Sequence, residues 1–219
     1  MTLTTPSPTT IACDPHAVAW FNGGPSTLSG RGLLVVMHGY GADETTLQPI
    51  LDVLETDAVI AFLRAPHTTP QGTWAWFPVQ VPGEIVREVI AQRSAAAVLS
   101  WLDDLPTRPD SIDLLGFSQG GAMVTELFRT TPGAFRKGVV LSGFSVTGER
   151  PGDRLLARMK PPFYWGYDPH EHTITQGALF RTAEWLPKHT TLTTRTFDGM
   201  GHTVWPEELE EVAAFLAAD

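Results

Sequence analysis

Cysteine is almost absent from this chain of 219 residues, because Cys13 is the only one. A single cysteine excludes an intramolecular disulfide and a metal cluster held by several thiolates. A chain of this length buries a core large enough to fold without covalent or metal crosslinks. Since no repeat or domain-splitting linker interrupts the sequence, we predict one domain over residues 1–219, with a loose Thr- and Pro-rich segment at 1–12.

Positive charge is also scarce. Fifteen Lys and Arg residues stand against 24 Asp and Glu residues, which gives a net charge of -9. Nucleic acids and anionic membrane surfaces require basic patches, so neither is an expected partner. We expect a small-molecule substrate and a monomer or homodimer.

Targeting features are missing as well. The segment from Met1 to Pro6 lacks the basic region and apolar core of a signal peptide. The apolar runs are all shorter than a membrane-spanning helix requires. A cytoplasmic location is the resulting expectation.

Short apolar runs alternate with segments of helical periodicity along the chain. The runs predict buried strands, and their alternation with helices predicts an α/β fold with a mostly parallel sheet and helices on both faces. The predicted strands are 18–21, 32–37, 59–63, 111–117, 138–143, 162–166 and 191–197. The predicted helices are 44–54, 84–102, 122–128, 179–186 and 206–217.

One stretch near the middle of the chain carries the strongest functional signal. Gly116-Phe117-Ser118-Gln119-Gly120 lies between an apolar strand and a helical segment. A serine between two glycines at such a junction is the nucleophile-elbow pattern, in which small neighbours permit a sharp turn. The pattern predicts that Ser118 is a nucleophile held out above the sheet.

Serine requires a base to remove its proton and a third group to orient that base. His202 is the predicted base because it follows the last predicted strand, between small residues, and precedes the final helix. For the acid, Asp168 and Glu171 both follow the preceding strand. Asp168 could instead cap an Asp-Pro turn, and Glu171 could be a solvated charge. We favour Glu171, because Ile174 three residues later could anchor the chain.

The negative charge that forms on an attacked carbonyl oxygen needs backbone N–H donors. One predicted donor is the N–H of Gln119, the residue after the nucleophile. The other is the N–H of Tyr40, in the His38-Gly39-Tyr40-Gly41 turn. His38 itself is predicted to brace this turn.

Two further groups of residues could contribute to the site. A Pro- and Gly-rich loop at 69–82 carries aromatic residues that could either fill the core or form one wall of an acyl pocket. Their loop setting favours partial exposure and substrate binding near the site, and Phe144 is a similar candidate. The loop aromatics are Trp74, Trp76 and Phe77. The run from His170 to His172 could suggest a metal site, but further ligands at suitable spacing are lacking, so we predict no metal.

Five segments, in chain order, resemble the phospholipase/carboxylesterase family of the α/β-hydrolases, which includes acyl-protein thioesterases. They are residues 37–44, Arg64-Ala65-Pro66, Trp76-Phe77, residues 116–121 and Gly199-Met200-Gly201-His202. The resemblance implies a serine esterase acting on carboxylic esters or thioesters, with no cofactor and little or no cap.

The chain departs from this family at the acid. Members usually have His-Gly-x-x-Asp-x-x-(Val or Ile)-Pro after this strand, whereas Trp165 replaces the His and Glu171 precedes Ile174 by three residues. That spacing favours Glu171, although a realigned loop would restore Asp168. A thioesterase or dienelactone-type hydrolase is the near alternative, but the latter usually has a Cys nucleophile. A non-catalytic ligand-binding protein on the same fold is the alternative of another class.

Overall fold

The central sheet of the computed structural model has seven strands within the described residues, 11–79 and 84–218. Residues 1–10 lie outside these ranges, so the prediction of a loose segment at 1–12 falls largely beyond them, as do positions 80–83 of the aromatic loop. The strands are β1 Val18–Phe21, β2 Gly32–Met37, β3 Val59–Leu63, β4 His67–Thr68, β5 Trp74–Ala75, β6 Ser111–Phe117, β7 Gly138–Leu141, β8 Pro162–Tyr167 and β9 Thr191–Thr196.

The strand order of the sheet is β1-β3-β2-β6-β7-β8-β9, while β4 and β5 form a separate two-stranded hairpin. Only β1 runs antiparallel to its neighbour in the sheet, and β2, β3 and β6–β9 are mutually parallel. The predicted mostly parallel α/β sheet is therefore confirmed. Because β6 occupies the centre of the sheet, the residue that follows it lies at the middle of the carboxyl edge.

Alternate side chains of β2 enter two different cores, as the period of a strand requires. Leu33 and Val35 belong to the cluster that also contains Ala91 and Leu127 from two helices. Leu34 and Val36 belong to the cluster on the opposite face, with Val212 from the last helix. Both faces of the sheet are covered at its centre, which explains why β2, β3 and β7 are continuous apolar runs, whereas the edge strand β9 is polar.

The helices follow the predicted rhythm, with two differences. They are α1 Glu84–Asp103, α2 Gln119–Thr130, α3 Asp153–Met159, α4 Gln176–His189 and α5 Pro206–Ala217. The polar connector between β7 and β8 contains α3, which periodicity did not predict because the helix has only seven residues. Within the described ranges, every helix is too short or too polar to span a bilayer.

The predicted helix over 44–54 is wrong, since only the 3₁₀ turn Gln48–Asp52 forms there. The Asp43 carboxylate accepts hydrogen bonds from the N–H and hydroxyl of Thr45 at 2.9 and 2.7 Å. Such local bonds compete with helical ones, and Pro49 removes a further N–H donor.

A buried ionic network anchors the connector that contains α3 to the carboxyl end of α2. The Arg129 guanidinium donates to Asp153 at 2.8 Å and to the carbonyl of Val146 at 2.8 Å. Arg150 donates to Glu126 at 2.5 Å. Because each charge is paired, these buried groups avoid the cost of isolated ions.

Glu208, in the first turn of α5, has a fully buried side chain. Within the described chain, both of its carboxyl oxygens lack a well-formed hydrogen bond. Burial raises its pKa to about 8, and the nearby Trp205 N–H offsets this only in part. Glu208 is therefore mainly protonated at neutral pH in the folded protein.

A carboxyl group with a raised folded pKa contributes most to stability below its unfolded pKa, and that contribution is lost as the pH rises towards the folded value. We expect the wild type to lose about 3 to 4 kcal/mol more unfolding free energy than Glu208→Gln between pH 5 and pH 8. Urea unfolding at both pH values measures this, and equal losses would contradict the raised pKa. Comparing the losses cancels the pH-independent cost of burying the glutamine amide.

Candidate active site

Ser118 lies in the sharp turn between β6 and α2. Its backbone has φ 55° and ψ -114°, a conformation that costs energy for a residue with a side chain. Its N–H donates to the carbonyl of Leu141 at 2.9 Å, which fixes the turn against β7. A Cβ on Gly116 would overlap the Gly120 backbone, and one on Gly120 would overlap the Met37 carbonyl. The two glycines thus leave the space that the turn requires.

The turn after β2 passes directly across Ser118. A Cβ on Gly39 would come within 3.3 Å of the Ser118 Cβ. The N-terminus of α2 begins at Gln119, where helix geometry leaves backbone N–H groups unpaired within the helix and the dipole favours negative charge. The backbones of Gly39 and Gln119 therefore lie next to Ser118, and oxyanion donation by the N–H groups of Gln119 and of Tyr40, which follows Gly39, stays a prediction.

His38 braces this turn through both ring nitrogens. Its Nε2 accepts a hydrogen bond from the Ala65 N–H at 3.0 Å. Its Nδ1 must then carry the proton, and it donates to the Gly39 carbonyl at 2.7 Å. Burial lowers the pKa of His38, which favours this neutral form. The contacts suit a structural residue.

The side chain of Gln119 ties the aromatic loop to the elbow. Its Oε1 accepts from the Trp76 N–H at 3.0 Å, and its Nε2 donates to the Phe77 carbonyl at 2.6 Å. Trp76 also donates its indole N–H to the His38 carbonyl at 2.8 Å. The loop therefore turns inward, although its composition suggested exposure.

The expectation that Trp76 and Phe77 are partly exposed is wrong, because they are 0% and 1% exposed. Their side chains offer no surface to a substrate in this structure. Phe144 is partly buried and meets the edge of Phe77, with ring centroids 6.4 Å apart. Trp74 is also partly buried, and the Arg64 guanidinium lies 4.8 Å from the centre of one of its rings. A substrate-binding role for Phe144 and Trp74 remains a prediction.

His202 meets Ser118 across the carboxyl edge of the sheet. Its Nε2 lies 2.9 Å from the Ser118 Oγ. The Phe117 ring packs beside the imidazole, with centroids 5.0 Å apart. Gly201 adopts φ 69°, a conformation that favours glycine and lets the loop after β9 turn back over the serine.

Glu171 lies on the other side of the imidazole. Its Oε2 is 3.3 Å from His202 Nδ1, close enough for a contact but without the alignment of a hydrogen bond. The carboxylate is held by the backbone N–H groups of Thr173 and Ile174, each at 2.8 Å. Such contacts are often loose in a ligand-free site and tighten when substrate binds.

Asp168 takes a different position. Its Oδ2 accepts from the Gly201 N–H at 2.8 Å, and its Oδ1 accepts from the His170 N–H at 2.8 Å. These bonds, with that to Gly201 first, hold the pKa of Asp168 below its usual value. The carboxylate thus fastens the loop that carries His202, while Glu171 contacts the imidazole itself.

Sequence reasoning missed Ser142, which also supports this loop. Ser142 is buried, has φ 43°, and donates its hydroxyl to the Thr203 carbonyl at 3.1 Å. Its N–H donates to the Gly166 carbonyl at 2.8 Å. The only available signal was its place at the end of β7, beside the strand that carries the elbow.

The protonation state of His202 sets an expected pH dependence. Burial lowers the pKa of His202 from its ordinary value of 6.5, and the Glu171 carboxylate opposes this. Since a general base must be neutral, ester hydrolysis should be lost as the pH falls through this pKa. We expect the acidic limb of the kcat/KM profile to have a midpoint below 6.5. A midpoint above 7 would contradict this environment.

Metal ligands do not gather anywhere in the described residues, since no group of three or more His, Cys, Asp or Glu side chains could hold an ion. The side chain that meets Ser118 is instead an imidazole, which in turn contacts a carboxylate. Their order along the chain is Ser118, Glu171, His202, as in α/β-hydrolases.

Comparison with known proteins decides the family. The sequence matches the family model for Phospholipase/Carboxylesterase over residues 26–219, nearly the whole chain. The chain belongs to the phospholipase/carboxylesterase family. The predicted family resemblance is thereby confirmed.

Among the curated members is acyl-protein thioesterase 1 of Saccharomyces cerevisiae, 26% identical over 117 residues. The match covers 52% of this chain and 52% of the yeast protein, so it spans about half the length of that relative.

Solved structures show the same α/β-hydrolase fold. Esterase PE8 is 22% identical, with a TM-score of 0.71 over 86% of this chain and 94% of its own. A carboxylesterase from Mesorhizobium loti is 20% identical, with a TM-score of 0.71 over 89% of this chain and 92% of its own.

Proposed function

We propose that this phospholipase/carboxylesterase family member is a serine carboxylesterase. The observation that carries the proposal is the 2.9 Å contact between Ser118 Oγ and His202 Nε2 at a strained strand-to-helix turn. Family membership supports the hydrolysis of carboxylic esters. The strained turn and its glycines support a nucleophilic role for Ser118, since such strain is typically retained at functional sites.

The proposed reaction has two halves. Ser118 Oγ attacks the ester carbonyl while its proton passes to His202 Nε2, and the N–H groups of Tyr40 and Gln119 stabilise the oxyanion. His202 returns the proton to the leaving oxygen, the C–O bond breaks, and the acyl group remains on Ser118. Water then attacks the acyl-enzyme with His202 again as base, which releases the acid and restores the serine.

Glu171 completes the proposed triad. Its charge stabilises the imidazolium that forms during each proton transfer, and its position against Nδ1 keeps Nε2 free to face Ser118. The chemistry uses only side chains and backbone groups of the chain. We propose a small-molecule substrate, no nucleic-acid or membrane partner and a cytoplasmic monomer or homodimer, in line with the net charge of -9.

A thioesterase is the second candidate, because the yeast relative bears that name. The same groups could cleave a thioester, since only the leaving atom differs. A dienelactone-type hydrolase is disfavoured by the serine at position 118. A binding protein without activity remains the alternative from another class.

Steady-state assays test the proposal. Purified protein is mixed with a large excess of p-nitrophenyl acetate, or of the matching thioester S-(4-nitrophenyl) thioacetate, at pH 8. We expect many equivalents of nitrophenol per protein and a higher kcat/KM for the oxygen ester. A higher kcat/KM for the thioester would favour a thioesterase. If the protein hydrolyses both compounds no faster than buffer does, it is not a hydrolase of this kind.

A further inference from the structure

An apolar pocket of about 310 Å³ lies next to the Ser118–His202 pair, on the α5 face of the sheet. This volume is at the lower end for small-molecule sites. Its walls come from the segment that follows the turn at residues 38–41, the end of β6, the end of β7 and the start of α5. The lining residues used below are Thr46, Leu47, Phe117, Thr203, Val204 and Leu209.

Two of these residues join the pocket to the reacting groups. Phe117 immediately precedes Ser118, and its ring packs beside the His202 imidazole at 5.0 Å between centroids. Thr203 immediately follows His202, and its carbonyl is fixed by Ser142. The pocket therefore adjoins the His202 side of the site.

The proposed reaction places the alcohol portion of the ester on that side. His202 Nε2 must protonate the leaving oxygen, so the alcohol portion has to lie near His202. The carbonyl oxygen points towards the N–H groups of Tyr40 and Gln119. Phe144, the predicted acyl-side residue, packs with the core on the opposite face, whereas Phe117 packs with the core on the α5 face.

The lining favours an uncharged occupant. Leu47, Val204 and Leu209 supply aliphatic surface, and the hydroxyls of Thr46 and Thr203 are the only polar side-chain groups among the residues that form the wall. A charged leaving group would lose its hydration there without gaining a partner. A folded polypeptide as the leaving group is also far larger than this volume.

We propose that this pocket binds the leaving alcohol, and that the preferred substrates are esters of uncharged aliphatic alcohols of medium length. The proposal rests on the proposed carboxylesterase function and specifies its substrate class. Burial of each added methylene in the transition state should raise kcat/KM about threefold to fourfold until the pocket is full.

Two series of esters separate the pocket from the acyl side. One series runs from methyl to octyl acetate, and the other runs from methyl acetate to methyl octanoate. Acid release is followed in a pH-stat. We expect kcat/KM to rise about threefold per methylene over the first several members of the alcohol series, with a clearly smaller rise per methylene in the acyl series.

Variants with a larger side chain in the pocket provide a second test of the proposal. Leu209→Trp and, independently, Leu47→Trp should flatten the alcohol series, measured in each variant as kcat/KM for each longer alkyl acetate divided by kcat/KM for methyl acetate. Leu155→Trp is the matched control, because Leu155 is an exposed leucine on α3. It should leave the series unchanged.

A flat alcohol series in the wild type, or a slope that persists in both folded pocket variants, would overturn the proposal. A slope confined to the acyl series would overturn it and assign the pocket to the acyl chain. Circular dichroism identifies a variant that has not folded, and the other variant then decides. If the wild type hydrolyses none of the esters in either series, the proposed carboxylesterase function itself fails.

Discussion

Ser118→Ala should reduce kcat for p-nitrophenyl acetate by about 10⁴- to 10⁶-fold, because the variant has no atom that can form the acyl-enzyme. The His202 imidazole and both predicted oxyanion donors remain, so a residual rate above that of buffer is expected. Stopped-flow and steady-state release of nitrophenol measure the loss. A decrease of less than tenfold would show that another group forms the covalent bond.

Ser142→Ala is a suitable control for this substitution. Ser142 is also a buried serine with positive φ at the carboxyl end of a central strand, but its hydroxyl donates to the Thr203 carbonyl. Its loss should loosen the loop after His202 and lower kcat/KM by about tenfold. A much larger loss of activity in Ser118→Ala than in Ser142→Ala would show that Ser118 takes part in the chemistry, whereas Ser142 only supports the loop.

Glu171→Gln should lower kcat/KM by about 10³- to 10⁴-fold, because the neutral amide no longer stabilises the His202 imidazolium and can favour the wrong tautomer. Since the Glu171 carboxylate raises the pKa of His202, its loss should also move the acidic limb of the pH profile to lower pH. Hydrolysis of p-nitrophenyl acetate between pH 4.5 and 8.5 tests both effects.

Asp168→Asn is the matched comparison for this second effect. Asp168 is bonded to the backbone N–H groups of Gly201 and His170. We expect about a tenfold loss of kcat/KM, from a loosened loop, with the acidic limb close to that of wild type. If Asp168→Asn is the more damaging substitution, Glu171 is not the triad acid.

The sheet could be predicted from the sequence because the pattern that identifies a strand lies within the residues of that strand. Apolar runs such as Val59–Leu63 are buried on both faces, and the elbow needs small residues at Gly116 and Gly120 wherever the strand meets the helix. The seven-residue α3 could not be predicted because it is too short for a periodic signal. It is held by ionic contacts from Arg129 that are distant in sequence.

The identity of the acid and the burial of the aromatic loop also depend on contacts between residues that are distant in sequence. Asp168 and Glu171 lie three residues apart, and only the fold shows which carboxylate meets Nδ1 and which fastens the loop through Gly201. Trp76 and Phe77 lie amid Pro and Gly, yet their backbone hydrogen bonds with the Gln119 side chain hold them in the core. The sequence shows the composition of a loop but not which distant groups form hydrogen bonds with its backbone.

Covalent labelling tests the central claim most directly. Wild type, His202→Ala and Ser118→Ala are treated with a fluorophosphonate, digested and analysed by mass spectrometry. We predict one adduct in the wild type, on the peptide that contains Ser118, with much slower labelling in His202→Ala and none in Ser118→Ala. An unlabelled wild type, or an adduct on any other residue, would contradict the account of Ser118 as the activated nucleophile.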